Sequence, residues 1–157
     1  MNKGQHIYGA FITILTFVVL ILYYVGTAPF DVVTVLVWVL VTPLVAIYPD
    51  IDTEFGKHRA AFHNIYIPVV VTIVFSLAGL VVVVFPLWVG YLSHIALDMS
   101  SKVGVKIFWP FSKRAIGGTG KVAPKSFLGH FVTMVVSIVL GLLISFVGAS
   151  YYYLLGY

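Results

Sequence analysis

The chain has no cysteine. That absence removes disulfides, thiolate metal ligands and a Cys nucleophile, and it leaves the redox compartment open. Charge is also scarce. Asp, Glu, Lys and Arg make up 9% of the residues, against about 25% in soluble domains. Acidic residues number only five, against nine Lys and Arg. There is no Gly-rich phosphate loop, no internal repeat and no low-complexity tail. Apolar residues take up 61% of the 157 positions, and they come in unbroken runs. Such runs point to an integral membrane protein, and the length suits one domain.

The expected architecture is an all-α, polytopic membrane helix bundle of about five membrane helices. The crossings fall near residues 7–25, 30–48, 65–85, 87–101 and 127–147. The first run follows Lys3, as a signal peptide would. It is longer than an h-region of roughly 7–15 residues, and no A-x-A site follows it. Pro43 is expected to kink the second crossing near its end. The third is rich in Val and Ile, but a long apolar run in a bilayer must be helical. Pro86 is expected to open the fourth, which is short for a crossing, so a re-entrant helix is the alternative. A basic loop, residues 102–126, carries six Lys and Arg and no acid. Tyr151, Tyr152 and Tyr153 after the last run suit an interfacial anchor.

Five crossings place all nine Lys and Arg on one side and leave only Asp31 on the other. The positive-inside rule makes the shared side cytoplasmic. The expected location is therefore the cell membrane, with the N-terminus in the cytoplasm and the C-terminus outside. The cations read as topology determinants and lipid contacts rather than as a nucleic-acid surface. In the last run Gly129, Thr133, Ser137, Gly141, Ser145 and Ala149 recur every fourth residue, which lets helix backbones approach closely. The partner of that stripe is either an internal helix or a second copy in a homo-oligomer.

The polar residues concentrate between the second and third runs. Residues 48–64 hold Asp50, Asp52, Glu54, His58 and His63, three of the five acids and two of the five histidines. The topology brings them to the same membrane face as His6, His94 and Asp98. His94 and Asp98 are one helical turn apart and share a helix face. Ionisable side chains in membrane helices are costly and mark functional sites. The candidate metal ligands are His6, Asp50, Asp52, His58, His63, His94 and Asp98. Mixed nitrogen and oxygen donors suit zinc, with manganese or iron as alternatives. Bland readings stand beside this one: Asp50 and Asp52 as helix caps, Glu54 as a solvated side chain, and His6 and His130 as interfacial residues. Asp52 or Thr53 would start a short helix through His58.

The ordered elements Pro49-Asp50-Ile51-Asp52, His58-Arg59, His63, Gly90-Tyr91-Leu92-Ser93-His94-Ile95-Ala96-Leu97-Asp98 and Gly104-Val105-Lys106-Ile107-Phe108-Trp109-Pro110-Phe111 resemble the YdjM-like family. The resemblance includes an early His like His6 and covers roughly residues 1–115. That family is described as predicted membrane-bound, metal-dependent hydrolases. It is thought to be distantly similar to zinc-dependent phospholipase C and to single-strand nucleases of that fold. The resemblance implies hydrolysis of phosphate esters, by fold-level analogy. Two departures stand out. Ala60 replaces the usual Gly after His-Arg, and Phe62-His63-Asn64 replaces Thr-His-Ser, so two hydroxyls are lost beside a retained His.

Three readings follow. The first is a metal-dependent phosphoesterase acting on an anionic lipid or other phosphate-bearing substrate at the cytoplasmic face. In it Asp52 or Glu54 is the general base and Arg59 clamps a phosphate oxygen. The second is a non-enzymatic scaffold with a structural metal. The third is a metal or proton transporter, which would need ligands spread through the membrane depth.

Overall fold

Hydrocarbon offers backbone amides no partner, so each long apolar run must close its own hydrogen bonds as a helix. The computed structural model, which describes residues 3–25, 31–50, 62–100, 104–118 and 126–155, shows this outcome. Helix α1 spans Lys3–Val25, α2 Val32–Val45, α3 Tyr66–Leu77, α4 Val84–Met99 and α5 Phe127–Leu154. Short 3₁₀ turns at Tyr48–Asp50 and Val81–Val83 end α2 and lead into α4. Among the described residues there is no strand, only an isolated bridge between Val105 and Ile116.

Four segments are long and apolar enough to cross: Lys3–Val25, Val32–Asp50, Val81–Met99 and Phe127–Leu154. At about 1.5 Å per residue the shorter two of these reach about 28 Å. Helix α3, with 12 residues, reaches only about 18 Å, against a hydrocarbon core of about 30 Å. The expected boundary between the third and fourth crossings therefore shifts. The chain turns at Gly79, in the left-handed region at φ 75°, and not at Pro86. Pro86 lies inside the first turn of α4, where its missing N–H would have no helical partner anyway. The third run is thus the short one and the fourth spans. The α3–α4 pair still returns to the face it left. Trp88 Nε1 donates to Thr72 Oγ1 across it at 2.8 Å, and Trp38 Nε1 of α2 donates to the Val82 carbonyl at 3.1 Å.

Helix α1 is the centre of the bundle and packs on α2, α4 and α5. Its buried Gly9, Ala10, Thr13, Ile14, Phe17, Val18 and Ile21 recur at helical spacing. Helix α5 runs parallel to it. A Cβ built on Gly9 would meet Ser137 Oγ at 2.9 Å, and one on Gly141 would meet the Thr13 carbonyl at 2.9 Å. At the far end Tyr153 Oη donates to the Tyr24 carbonyl at 2.8 Å. The small-residue stripe of Gly129, Thr133, Ser137, Gly141 and Ser145 is buried and faces α1, so its partner here is internal. The outward faces carry exposed Val19, Leu36, Leu40, Val70, Ile73, Leu142 and Leu143, as lipid contact requires.

The described part of the basic loop, residues 104–118, folds back on the bundle. Gly118 N donates to the Met99 carbonyl at the end of α4, and Ile65 N donates to the Ile107 carbonyl. Lys106, Lys113 and Arg114 are exposed on it, beside exposed Phe108, Trp109 and Phe111.

Candidate metal centre

Five of the seven expected ligands meet at one end of the bundle. His6 closes the first turn of α1, since that helix starts at Lys3 and not after the histidine. Asp50 ends the 3₁₀ turn after α2, His63 precedes α3, and His94 and Asp98 share one face of α4. His6, His63 and His94 are almost wholly buried. The two carboxylates are slightly more open, at 13% for the Asp50 side chain and 7% for Asp98.

The distances are those of one convergent site. His6 Nε2 lies 3.3 Å from Asp98 Oδ1 and 3.8 Å from Asp50 Oδ2. His63 Nε2 lies 3.3 Å from Asp98 Oδ2 and 3.8 Å from Asp50 Oδ1. His94 Nε2 lies 3.5 Å from Asp98 Oδ2 and 3.9 Å from Asp50 Oδ1. The His63 and His94 Nε2 atoms are 3.1 Å apart. The His6 and His94 rings stack, with centroids 3.8 Å apart and planes 20° from parallel.

Local sequence explains how each group is held. The Ala46 carbonyl sits where α2 tightens into the 3₁₀ turn. Pro49 has no N–H to offer it, and Asp50 N turns instead to the Ile47 carbonyl at 3.0 Å. His94 Nδ1 takes the vacant position at 2.7 Å. A carbonyl only accepts, so Nδ1 carries the proton and the Nε2 lone pair faces the centre, an arrangement common among metal-binding imidazoles. Gly90, one turn before His94, allows the approach, because a Cβ there would lie 2.5 Å from the Thr42 carbonyl. Gly9 does the same for α1, where a Cβ would lie 2.6 Å from Leu97 Cδ1. Asn64 Oδ1 accepts from Tyr66 N at 3.1 Å and Ile67 N at 3.2 Å, capping α3 beside His63. Asn and Ser cap helices about equally well, so Asn64 supplies the acceptor that the expected Ser would have supplied. Phe62 meets Tyr48 edge to face, with centroids 5.3 Å apart.

Asp52, Glu54, His58 and Arg59 lie outside the described residues. His130 does not join the cluster. It is exposed in the first turn of α5, with Nδ1 3.0 Å from the Ser126 carbonyl. Sequence reasoning missed the Ala46 carbonyl and the two close-approach glycines. Pro49 was the only signal for the first, and the glycines are unremarkable as residue types.

The donor set fits a divalent ion. One ligand atom each from His6, Asp50, His94 and Asp98 lie within 4.8 Å of one another. His6 is wholly buried, its Nε2 faces Asp98 Oδ1 at 3.3 Å, and its Nδ1 has no hydrogen-bond partner among the described residues, so a bound cation would offset the cost of burying the ring among carboxylates. An all-helical membrane bundle with a buried His and Asp group at one end is the class this fold and site define. Within that class the chain belongs to the YdjM inner membrane protein family, whose model matches residues 1–157. No curated protein and no solved structure matches.

Proposed function

We propose that the protein is a metal-dependent hydrolase of phosphate esters in lipid or lipid-linked headgroups, acting at the cytoplasmic face of the membrane. The observation that carries this is the convergence of three imidazoles and two carboxylates at one end of the bundle. Support also comes from the adjoining loop. Lys106, Lys113 and Arg114 are exposed there beside Phe108, Trp109 and Phe111, a combination suited to anionic headgroups.

In this reading His6, Asp50, His63, His94 and Asp98 hold the metal, zinc by preference, with Asp52 and His58 as further candidates. A divalent ion held there lowers the pKa of water and stabilises charge on a phosphoryl group. The proton of the attacking water passes to a carboxylate, Asp52 or Glu54. Arg59 holds a phosphate oxygen. The water oxygen would bond to phosphorus as the ester P–O bond breaks, and the leaving alkoxide would take up the proton that the carboxylate received from the water.

The test is release of phosphate or headgroup from a mixed lipid panel, with protein in vesicles supplied with zinc or manganese. Asp98→Asn is expected to insert normally and to lower the rate by about 100-fold or more, since even partners of metal ligands matter by 10–100-fold. Lys113→Gln is expected to weaken use of anionic substrates specifically. A second reading has its own observation, because the ligands come from four separate segments that one ion would staple together. Metal-loaded protein that melts higher than metal-free protein yet turns over no phosphate ester would favour the staple. Transport has less support. Among the described residues the His and Asp groups of the cluster sit at one end and are not spread along the bundle.

A further inference from the structure

We infer that the cluster is built for two metal ions that share the carboxylates of Asp98 and Asp50; the inference rests on the metal-centre reading above. Each carboxylate divides its oxygens in the same way. Asp98 turns Oδ1 to His6 at 3.3 Å and Oδ2 to His63 and His94 at 3.3 and 3.5 Å. Asp50 turns Oδ2 to His6 at 3.8 Å and Oδ1 to His63 and His94 at 3.8 and 3.9 Å. Three imidazole nitrogens and four carboxylate oxygens converge, whereas zinc takes about four ligands.

The ring planes separate the donors into two groups. An imidazole lone pair lies in the plane of its ring. The His6 and His94 rings are stacked 3.8 Å apart at 20°, so their lone pairs run in nearly parallel planes and do not meet at one point. The His63 and His94 planes cross at 62°, and their Nε2 atoms are 3.1 Å apart. Ligands about 2.0–2.2 Å from a shared tetrahedral ion stand about 3.3–3.5 Å from each other. Asp98 Oδ2 stands at that spacing from His63 and His94 Nε2, the two Nε2 atoms are about two tenths closer together, and Asp50 Oδ1 falls a few tenths outside it. Together they form a complete set of four. His6 Nε2, Asp98 Oδ1 and Asp50 Oδ2 form a second set, of three among the described residues. A single ion bound by His6, Asp50, His94 and Asp98 would use one atom from each and strand His63 Nε2 against His94. Two divalent ions and two carboxylates leave the centre positive, which favours an anionic substrate.

The experiment is metal content per chain, by mass spectrometry on full-length, detergent-purified protein equilibrated with zinc and then freed of loose metal. Two ions per wild-type chain are expected, and one per chain in His6→Ala, with His6→Gln as a more conservative second variant. Manganese loading gives an independent readout. Wild type should show the exchange-coupled electron paramagnetic resonance signal of a manganese pair, and His6→Ala the six-line signal of an isolated ion. One ion per wild-type chain would overturn the two-ion inference and leave the metal centre standing. No bound ion would overturn both. A folded His6→Ala protein that keeps two ions would overturn the division of ligands. The wild-type count is decisive even if neither variant folds.

Discussion

The Nδ1 atom of His94 lies 2.7 Å from the carbonyl oxygen of Ala46, so α2 decides which imidazole nitrogen of α4 faces the cluster. The Ala46 acceptor stays within reach of His94 only while the two helices stay this close. Their closeness depends on Gly90, against the Thr42 carbonyl. The orientation of a candidate ligand is therefore a property of helix packing as much as of the ligand itself.

Gly90→Ala tests that dependence. The added methyl would press on the Thr42 carbonyl and on Val45 Cβ, backbone and branched side chain that cannot simply swing aside. Overpacking of this kind costs about 1–3 kcal/mol. With His94 displaced from Ala46, metal affinity should fall about 10–100-fold, as for other losses of a ligand's supporting hydrogen bond. A competition titration with a metal-binding dye measures it. Wild-type affinity in folded Gly90→Ala would show that the spacing does not position His94.

Asn64→Ala removes both cap hydrogen bonds from the start of α3. The expected cost is about 0.5–2 kcal/mol, read as a lower melting temperature in detergent. Asn64→Ser should recover most of it, because either side chain offers the acceptor. Equal melting of the Ala and Ser variants would mean that the cap contributes nothing.

Asp31 caps α2 at the opposite end from the cluster. Its carboxylate accepts from Thr34 Oγ1 at 2.6 Å and Thr34 N at 2.9 Å, and these bonds hold its pKa below the ordinary value. A depressed carboxylate stabilises the folded state above its unfolded pKa, and the contribution disappears as pH falls through the folded pKa. Amide exchange at Val33, Thr34 and Val35 is therefore expected to gain protection as pH rises toward about 4 and to level off above it, once intrinsic rates are divided out. Asp31→Ala should abolish that pH dependence. An unchanged profile would remove the cap from the account.

Orientation can be read directly, since the chain has no native cysteine. Glu54→Cys and Ala115→Cys are expected to label only from the cytoplasmic side, and Tyr153→Cys only from outside. The parallel packing of α1 and α5 puts Ala115 and Tyr153 on opposite sides of the membrane whichever way the bundle is inserted. Labelling of both from one side would break the topology; exchange of the two sides would reverse only the orientation.

The sequence by itself determined the class and singled out the residues of the candidate site. Long uncharged runs had to be helices, because nothing else satisfies a backbone in hydrocarbon. The scarcity of acids and histidines made His6, Asp50, His63, His94 and Asp98 conspicuous, and topology assigned them to one face. Pro86 misled the boundary of the fourth helix, because Pro is tolerated in a first turn as readily as between helices, while Gly79 could actually reverse the chain. Only the tertiary structure decided which partner the small-residue stripe of α5 meets, since identical spacing serves an internal helix or a second chain. Only the tertiary structure, too, brought His6 into stacking contact with His94, gave the Ala46 carbonyl to His94, and turned the two oxygens of Asp98 toward different histidines. Those relations depend on distances of a few tenths of an ångström between segments far apart in the chain, and such distances are set by close packing between helices rather than by any residue pattern within one.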